Sequence, residues 1–187
     1  MQVTDLEISG LKVIKHNVYT DSRGYFFECF HKERFAEAGI PDQFFQDNIS
    51  KSKKGTVRGL HYQVGDHAQG KLCQVLQGKV MDVAVDIRFG SPTFGKYAWV
   101  ELSAENATML WIPPGFAHGF SVLSDEAVFY YKCTARYSKP DERAILFSDP
   151  DLGINWQIEN PLVSEKDKEA TPFSQIEKDF HWHIAKG

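Results

Sequence analysis

The sequence predicts an all-β fold, a sandwich or jelly roll with a few short peripheral helices, on three observations. Short apolar and β-branched runs follow one another through the middle of the chain, separated by Gly, Pro, Asn and Asp turns. Aromatic residues make up 13% of the 187 residues, led by 14 Phe, a share that suits pleated surfaces and pockets that stack flat rings. Helical patterns are few and lie away from this central block.

Taken in chain order, residues 31–38 carry helix formers with Phe35 and Ala38 as an apolar pair and Gly39 as a stop, which predicts a short helix. Residues 57–63 read as a strand in which Gly59, His61 and Gln63 share one face. Residues 71–76 end at Gln77-Gly78, a turn signal, and residues 80–87 follow at once, which predicts a hairpin. Residues 97–102, 108–112, 119–123 and 127–134 read as further short strands, and their spacing favours a sandwich or jelly roll. The acidic run 164–167 looks like a helix start, with Ser164 as N-cap and Asp167 at the third helical position. Residues 173–187 are weakly patterned. With no internal repeat or linker composition, residues 1–187 form one expected domain, with N-terminal strands and a C-terminal helical tail.

Composition narrows the function classes. Apolar content of 42% and charged content of 25% belong to a folded domain, and its size supports an ordinary core. A net charge of -4 offers no basic field for nucleic acid or an anionic membrane surface, so phosphate binding would need a few placed cations. Cys29, Cys73 and Cys133 form no CxxC pair and no zinc-like spacing. The first residues lack a signal-peptide profile, and no apolar run reaches the roughly 20 residues a spanning helix needs, so a reducing cytoplasm is expected.

Two segments carry chemistry. In Val57-Arg58-Gly59-Leu60-His61-Tyr62-Gln63, a polar set shares one strand face, which is equally compatible with a hydrogen-bonded core histidine. In Trp111-Ile112-Pro113-Pro114-Gly115-Phe116-Ala117-His118-Gly119-Phe120, the prolines fix a turn that delivers His118 at a strand start. The Pro-x-Gly-x-x-His pattern resembles the second motif of cupins, which are double-stranded β-helix (jelly-roll) proteins. Metal-binding cupins also carry His-x-His and Glu in their first motif. Here Gln63 stands in the second histidine position, and no carboxylate partner is evident, which makes a poor transition-metal site.

The ordered series of motifs is more specific than any one of them. It runs through Asp21-Ser22-Arg23-Gly24-Tyr25-Phe26-Phe27-Glu28, Gln46-Asp47-Asn48, Arg58-Gly59-Leu60-His61-Tyr62-Gln63 and Gln69-Gly70-Lys71. It continues through residues 82–88 and 110–120, Tyr131-Lys132, Glu142-Arg143 and Ser164-Glu165-Lys166-Asp167. In this series the chain resembles the dTDP-4-dehydrorhamnose 3,5-epimerases. The resemblance implies a cupin fold and inversion at the carbons flanking a ketone of a thymidine-diphosphate-linked 4-keto-6-deoxy sugar. It implies no metal and no organic cofactor, so turnover should survive chelation.

Residue by residue, it implies His61 as the base, its unperturbed pKa of about 6.5 leaving it competent near neutrality. Asp167 would orient His61, although by spacing alone it reads as a capping residue. Tyr131 would donate a proton from the opposite face, with Tyr130 as its neighbouring decoy, and Lys71 would stabilise the enolate. Arg23, Arg58 and Lys166 match contacts to the nucleotide, chiefly its diphosphate. Glu28, Gln46, Asp47, Asn48, His118 and Glu142 match other ligand-binding positions, and Phe26 and Tyr137 are candidates for stacking on thymine. The three cysteines depart from the family pattern and read as packing substitutions. Family members are homodimers with exchanged strands, which is the expectation here, without nucleic-acid or membrane partners. Rival readings are an epimerase of C3 or C5 alone, a sugar-binding cupin without turnover, and a metal-dependent cupin.

Overall fold

The computed structural model describes residues 1–41 and 43–182. The strands are β1 (Gln2–Asp5), β2 (Lys12–Lys15), β3 (Tyr19–Asp21), β4 (Gly24–Phe26), β5 (Gln46–Lys53), β6 (Val57–Gln63) and β7 (Lys71–Gln77). They continue as β8 (Lys79–Asp86), β9 (Tyr97–Ser103), β10 (Thr108–Ile112), β11 (Phe116–Val122), β12 (Glu126–Cys133) and β13 (Glu142–Ala144). Helix α1 (Lys32–Glu37) follows the second hairpin strand, and α2 (Glu165–Lys168) lies near the end. The all-β jelly-roll expectation therefore holds.

A six-stranded sheet in the order β1-β2-β10-β7-β12-β5 faces a five-stranded sheet in the order β13-β6-β11-β8-β9. Between them Leu110, Ile112, Val75 and Phe129 of the first sheet meet Val80, Ala84, Leu102, Phe116 and Phe120 of the second. Phe120 and Phe129 stack across this gap at 4.3 Å between ring centres. Period-two alternation turns the remaining apolar residues to the outer faces. Leu72, Met109 and Trp111 are covered by Phe35 and Ile40 around α1, while Leu60, Val83 and Val85 are covered by Leu152 and Trp156. Both sheets are thus apolar on two faces, and polar groups between them stand out as functional candidates.

The hairpin expected at residues 71–87 does not form. β7 pairs with β10 and β12, and β8 pairs with β11 and β9, so the two strands belong to opposite sheets. Gly78, at φ +74, turns the chain from one sheet to the other against Glu126 and Ser124, a crossing that short-range turn chemistry cannot distinguish from a hairpin. The helical tail amounts to α2 and one 3-10 turn at Phe173–Gln175. Residues 176–182 run without a helix, and the end of the tail, 183–187, lies outside the described residues. No helix among the described residues is long and apolar enough to cross a membrane.

Candidate active site

The site opens at a point where β6 and β11 approach unusually closely. Gly59, at φ +133, faces Gly119, and a Cβ at Gly59 would lie 2.5 Å from the Gly119 Cα. Only glycine fits both the backbone angle and the contact. The β6–β11 register slips between His118 and Phe120 at this spot. Beyond it Leu60 packs into the outer layer, and His61 and Gln63 line an interior cavity of about 210 Å³.

Helix α2 supplies the partner of His61. Ser164 caps it by accepting from the Asp167 backbone N–H at 3.2 Å, which fixes the acidic side chain at the first turn. Asp167 is buried, and its Oδ1 lies 2.7 Å from His61 Nε2 while its Oδ2 accepts from the Gly59 N–H at 3.4 Å. Burial opposes the charge on Asp167, but its bonds with His61, Gly59 and Ser164 outweigh this and hold its pKa below the ordinary 3.8. The carboxylate thus stays ionised beside the imidazole at neutral pH. The capping role and the His61 contact coexist in one residue.

The opposite sheet contributes Lys71 and Tyr131. Lys71 is no solvated edge charge, because β7 is an interior strand and its side chain is buried. Its Nζ donates to the His61 carbonyl at 3.2 Å and stands 6.0 Å from the centre of the Tyr131 ring. Burial lowers the Lys71 pKa from the ordinary 10.5. Tyr131 lines the cavity, and burial pushes its pKa up to about 12, so the phenol keeps its proton. Tyr130 turns the other way, its hydroxyl donating to Asp47 at 3.0 Å beside Lys132. Strand alternation therefore separates the acid candidate from its decoy.

His118 also lines the cavity, but it carries a carboxylate that the sequence reading missed. Its Nε2 lies 2.7 Å from Asp82 Oδ1, and both residues are buried between the sheets. Burial holds His118 below the ordinary 6.5 despite that neighbour. The expectation that the two imidazoles lack a carboxylate at the motif level is thus corrected for His118, while Asp167 stands beside His61 where the resemblance placed it. The available signal was Asp82 itself, an acid between Val80 and Ala84 on the inward face of β8.

The remaining candidates fall into two groups. Arg58, Tyr137 and Glu142 line the same cavity, together with Gln63, Gln69 and Ser50, which sequence reasoning did not select. Glu142 accepts from Tyr137 at 3.0 Å and pairs with Lys166 at 2.6 Å; burial opposes its charge, but these two contacts keep its pKa below the ordinary 4.5. Gln46 donates to Asn48 and accepts from the Tyr137 N–H, and Asn48 reaches Cys133. A second group lies elsewhere within this chain. Arg23 pairs with Asp21 on the β3–β4 hairpin, where Phe26 is 70% exposed. Glu28 pairs with Arg34, and Asp47 faces outward on β5 toward Lys132.

His61 with its Asp167 carboxylate, the Tyr131 phenol of the facing sheet and the buried Lys71 ammonium thus surround one small polar cavity, groups able to accept a proton, donate one and balance a negative charge. The family model for dTDP-4-dehydrorhamnose 3,5-epimerase matches residues 5–175. The chain is 55% identical to the dTDP-4-dehydrorhamnose 3,5-epimerase of Shigella flexneri over 168 residues, which is 89% of this chain and 93% of that one. It superposes on a crystal structure of the dTDP-6-deoxy-D-glucose-3,5-epimerase of Legionella pneumophila in complex with dTDP-4-keto-L-rhamnose, with a TM-score of 0.93 at 47% identity, covering 98% of this chain and 99% of that one. It also resembles a 3′-monoepimerase from Streptomyces bikiniensis in complex with dTDP-quinovose, with a TM-score of 0.85 at 35% identity, covering 90% and 86% of the two chains. The chain belongs to the dTDP-4-dehydrorhamnose 3,5-epimerase family.

Proposed function

We propose that this chain is an isomerase that inverts C3 and C5 of dTDP-4-dehydro-6-deoxy-D-glucose, giving dTDP-4-dehydro-L-rhamnose for dTDP-L-rhamnose synthesis. The observation that carries the reading is that His61 with Asp167, and Tyr131 from the facing sheet, meet one cavity with Lys71 in contact with the His61 backbone. With Nε2–H donated to Asp167, the other ring nitrogen of His61 is left as a lone-pair base. It takes the proton α to the C4 ketone, and the enolate oxygen draws on the Lys71 ammonium. The Tyr131 phenol returns a proton to the opposite face of the same carbon. Solvent then reprotonates the phenolate and discharges the imidazolium, which resets the pair for the second carbon.

Arg58 and Lys166 are assigned to the diphosphate, with Tyr137 as a stacking group. Glu142, His118, Gln46 and Asn48 are assigned to the sugar and to the cavity wall. Arg23 and Phe26 sit on an exposed hairpin that also carries Tyr19 and Tyr25. In a strand-exchanged homodimer this hairpin would serve the cavity of a second copy, with Glu28 and Asp47 contributing at the rim.

Turnover in deuterated water, followed by NMR, tests the assignment. Deuterium at both C3 and C5 is expected. Label at one carbon only would make the chain a monoepimerase, and no label at either would reduce it to a binding protein.

A further inference from the structure

Cys73, Asp82 and His118 bring a thiol, a carboxylate and an imidazole together, with their ligand atoms all within 4.8 Å of one another. We propose that these three residues form a binding site for a thiophilic divalent cation of the zinc class, and that a cation held there shuts the active site down. The three side chains come from β7, β8 and β11, so their spacing is set by the packing of two sheets and not by a loop. All three are buried.

The geometry is close to what such an ion requires. His118 Nε2 lies 3.8 Å from Cys73 Sγ. An ion about 2.3 Å from sulfur and about 2.0 Å from nitrogen in tetrahedral geometry sets these two atoms roughly 3.6 Å apart. The 2.7 Å separation of Nε2 from Asp82 Oδ1 would open by roughly half an ångström to admit the ion. A second observation points to a ligand. Asp82 Oδ2 is buried without a hydrogen-bond partner among the described residues, although Oδ1 is bonded to His118. An unmatched carboxylate oxygen beside a thiol and an imidazole is a vacant acceptor for positive charge. One soft and one borderline donor favour the zinc and cobalt class over magnesium or calcium.

Binding releases one proton per ion. The Cys73 thiol gives its proton to solvent, and the His118 ring carries its proton on Nδ1 once Nε2 is ligated. His118 lines the cavity that holds Lys71 and Tyr131, and its ring centre lies 6.5 Å from that of Tyr131. A cation on Nε2 would add positive charge beside Lys71 and withdraw His118 from its bond with Asp82. Occupancy is therefore expected to inhibit turnover, whereas chelation is expected to leave it unchanged.

The test uses Co²⁺ as probe on chelator-treated full-length protein kept reduced without added thiols. One equivalent should produce a near-ultraviolet thiolate-to-cobalt charge-transfer band with visible bands of tetrahedral Co²⁺, and Zn²⁺ should abolish both. Cys73→Val should lose the band and the sensitivity of turnover to Zn²⁺, while retaining metal-free turnover. Cys29→Ser and Cys133→Ser should keep the band. Should Cys73→Val fail to fold, Asp82→Asn takes its place, with Co²⁺ binding expected to weaken at least about tenfold. No band in the native protein, or a band surviving in Cys73→Val, overturns the site. A site that fills while turnover is unaffected or rises overturns the inhibitory role. The optical readout needs no substrate, so its failure is distinguishable from failure of the epimerase reading.

Discussion

Replacing Asp167 by Asn is the sharpest test of the His61 dyad, because the side chain keeps its shape and loses only its charge and one acceptor. In the native site Oδ2 accepts from the Gly59 N–H and Oδ1 faces His61 Nε2 at 2.7 Å. An amide at this position keeps its oxygen toward the Gly59 donor, since turning NH₂ that way would set two donors against each other. Its NH₂ then faces His61 and donates to Nε2, which drives the ring proton onto the nitrogen needed as base. The reactive tautomer is lost. So is the carboxylate that stabilises the imidazolium formed on proton transfer, an attraction of about 4 kcal/mol for charge centres near 4 Å at an effective dielectric of 20. That alone is about a thousandfold in rate, and the tautomer change adds to it. The assay is deuterium incorporation by NMR at saturating substrate, with thermal unfolding as the control for structure. A loss of kcat of about a thousandfold or more is expected, with KM within about threefold of the native value, because the interaction matters only as proton transfer proceeds. Retention of more than about a tenth of the native kcat, in a variant that melts normally, would refute the reasoning.

Two further outcomes follow from the same geometry. Tyr131→Phe removes the proton donor of the far face and leaves His61 with Asp167 intact. The variant should still wash deuterium in with retained configuration, while the inverted product falls at least about a hundredfold, as read from product stereochemistry by NMR. Asp86 lies fully buried and accepts from Arg88, Ser91 and Thr93. Burial opposes its charge, but these donors hold its pKa below the ordinary 3.8, so its stabilisation is complete above that value and fades as pH falls through the folded-state pKa. Asp86→Asn should cost about 3 kcal/mol and roughly 6–12 °C in melting temperature at pH 7, with the difference from native shrinking in acid.

The sequence and the folded chain contributed different parts of this picture. Strand content was legible because β-branched and aromatic runs bounded by Gly, Pro and Asn turns are local signals. The α2 start was legible for the same reason, since Ser164 and Asp167 form their cap within one turn. His61, Lys71 and Tyr131 were named from motif series, and alternation then explains why Tyr131 faces the cavity while Tyr130 does not. Sheet membership was not legible. The turn at Gly78 reads as a hairpin, and only the pairing of β7 and β8 with other partners reveals a crossing between sheets.

The partnership of His118 with Asp82 escaped notice because it joins positions 36 residues apart on neighbouring strands. Contacts at such separation depend on register, which here sets His118 opposite Ala84 and Phe120 opposite Asp82, so that the histidine meets the acid two residues along the neighbouring strand. The opposite case is Arg23, Phe26, Glu28 and Asp47, named from motifs yet held apart from the cavity of their own chain by the hairpin, α1 and the outer face of β5. Sequence alone therefore determined which residue types this protein brings to its chemistry and the all-β frame that carries them. The tertiary structure decided which of them share a cavity, which carboxylate serves each histidine, and that a thiol stands beside the second pair. The physical reason is that side-chain chemistry and strand periodicity are properties of neighbouring residues, whereas register and sheet pairing are settled only when the whole core packs.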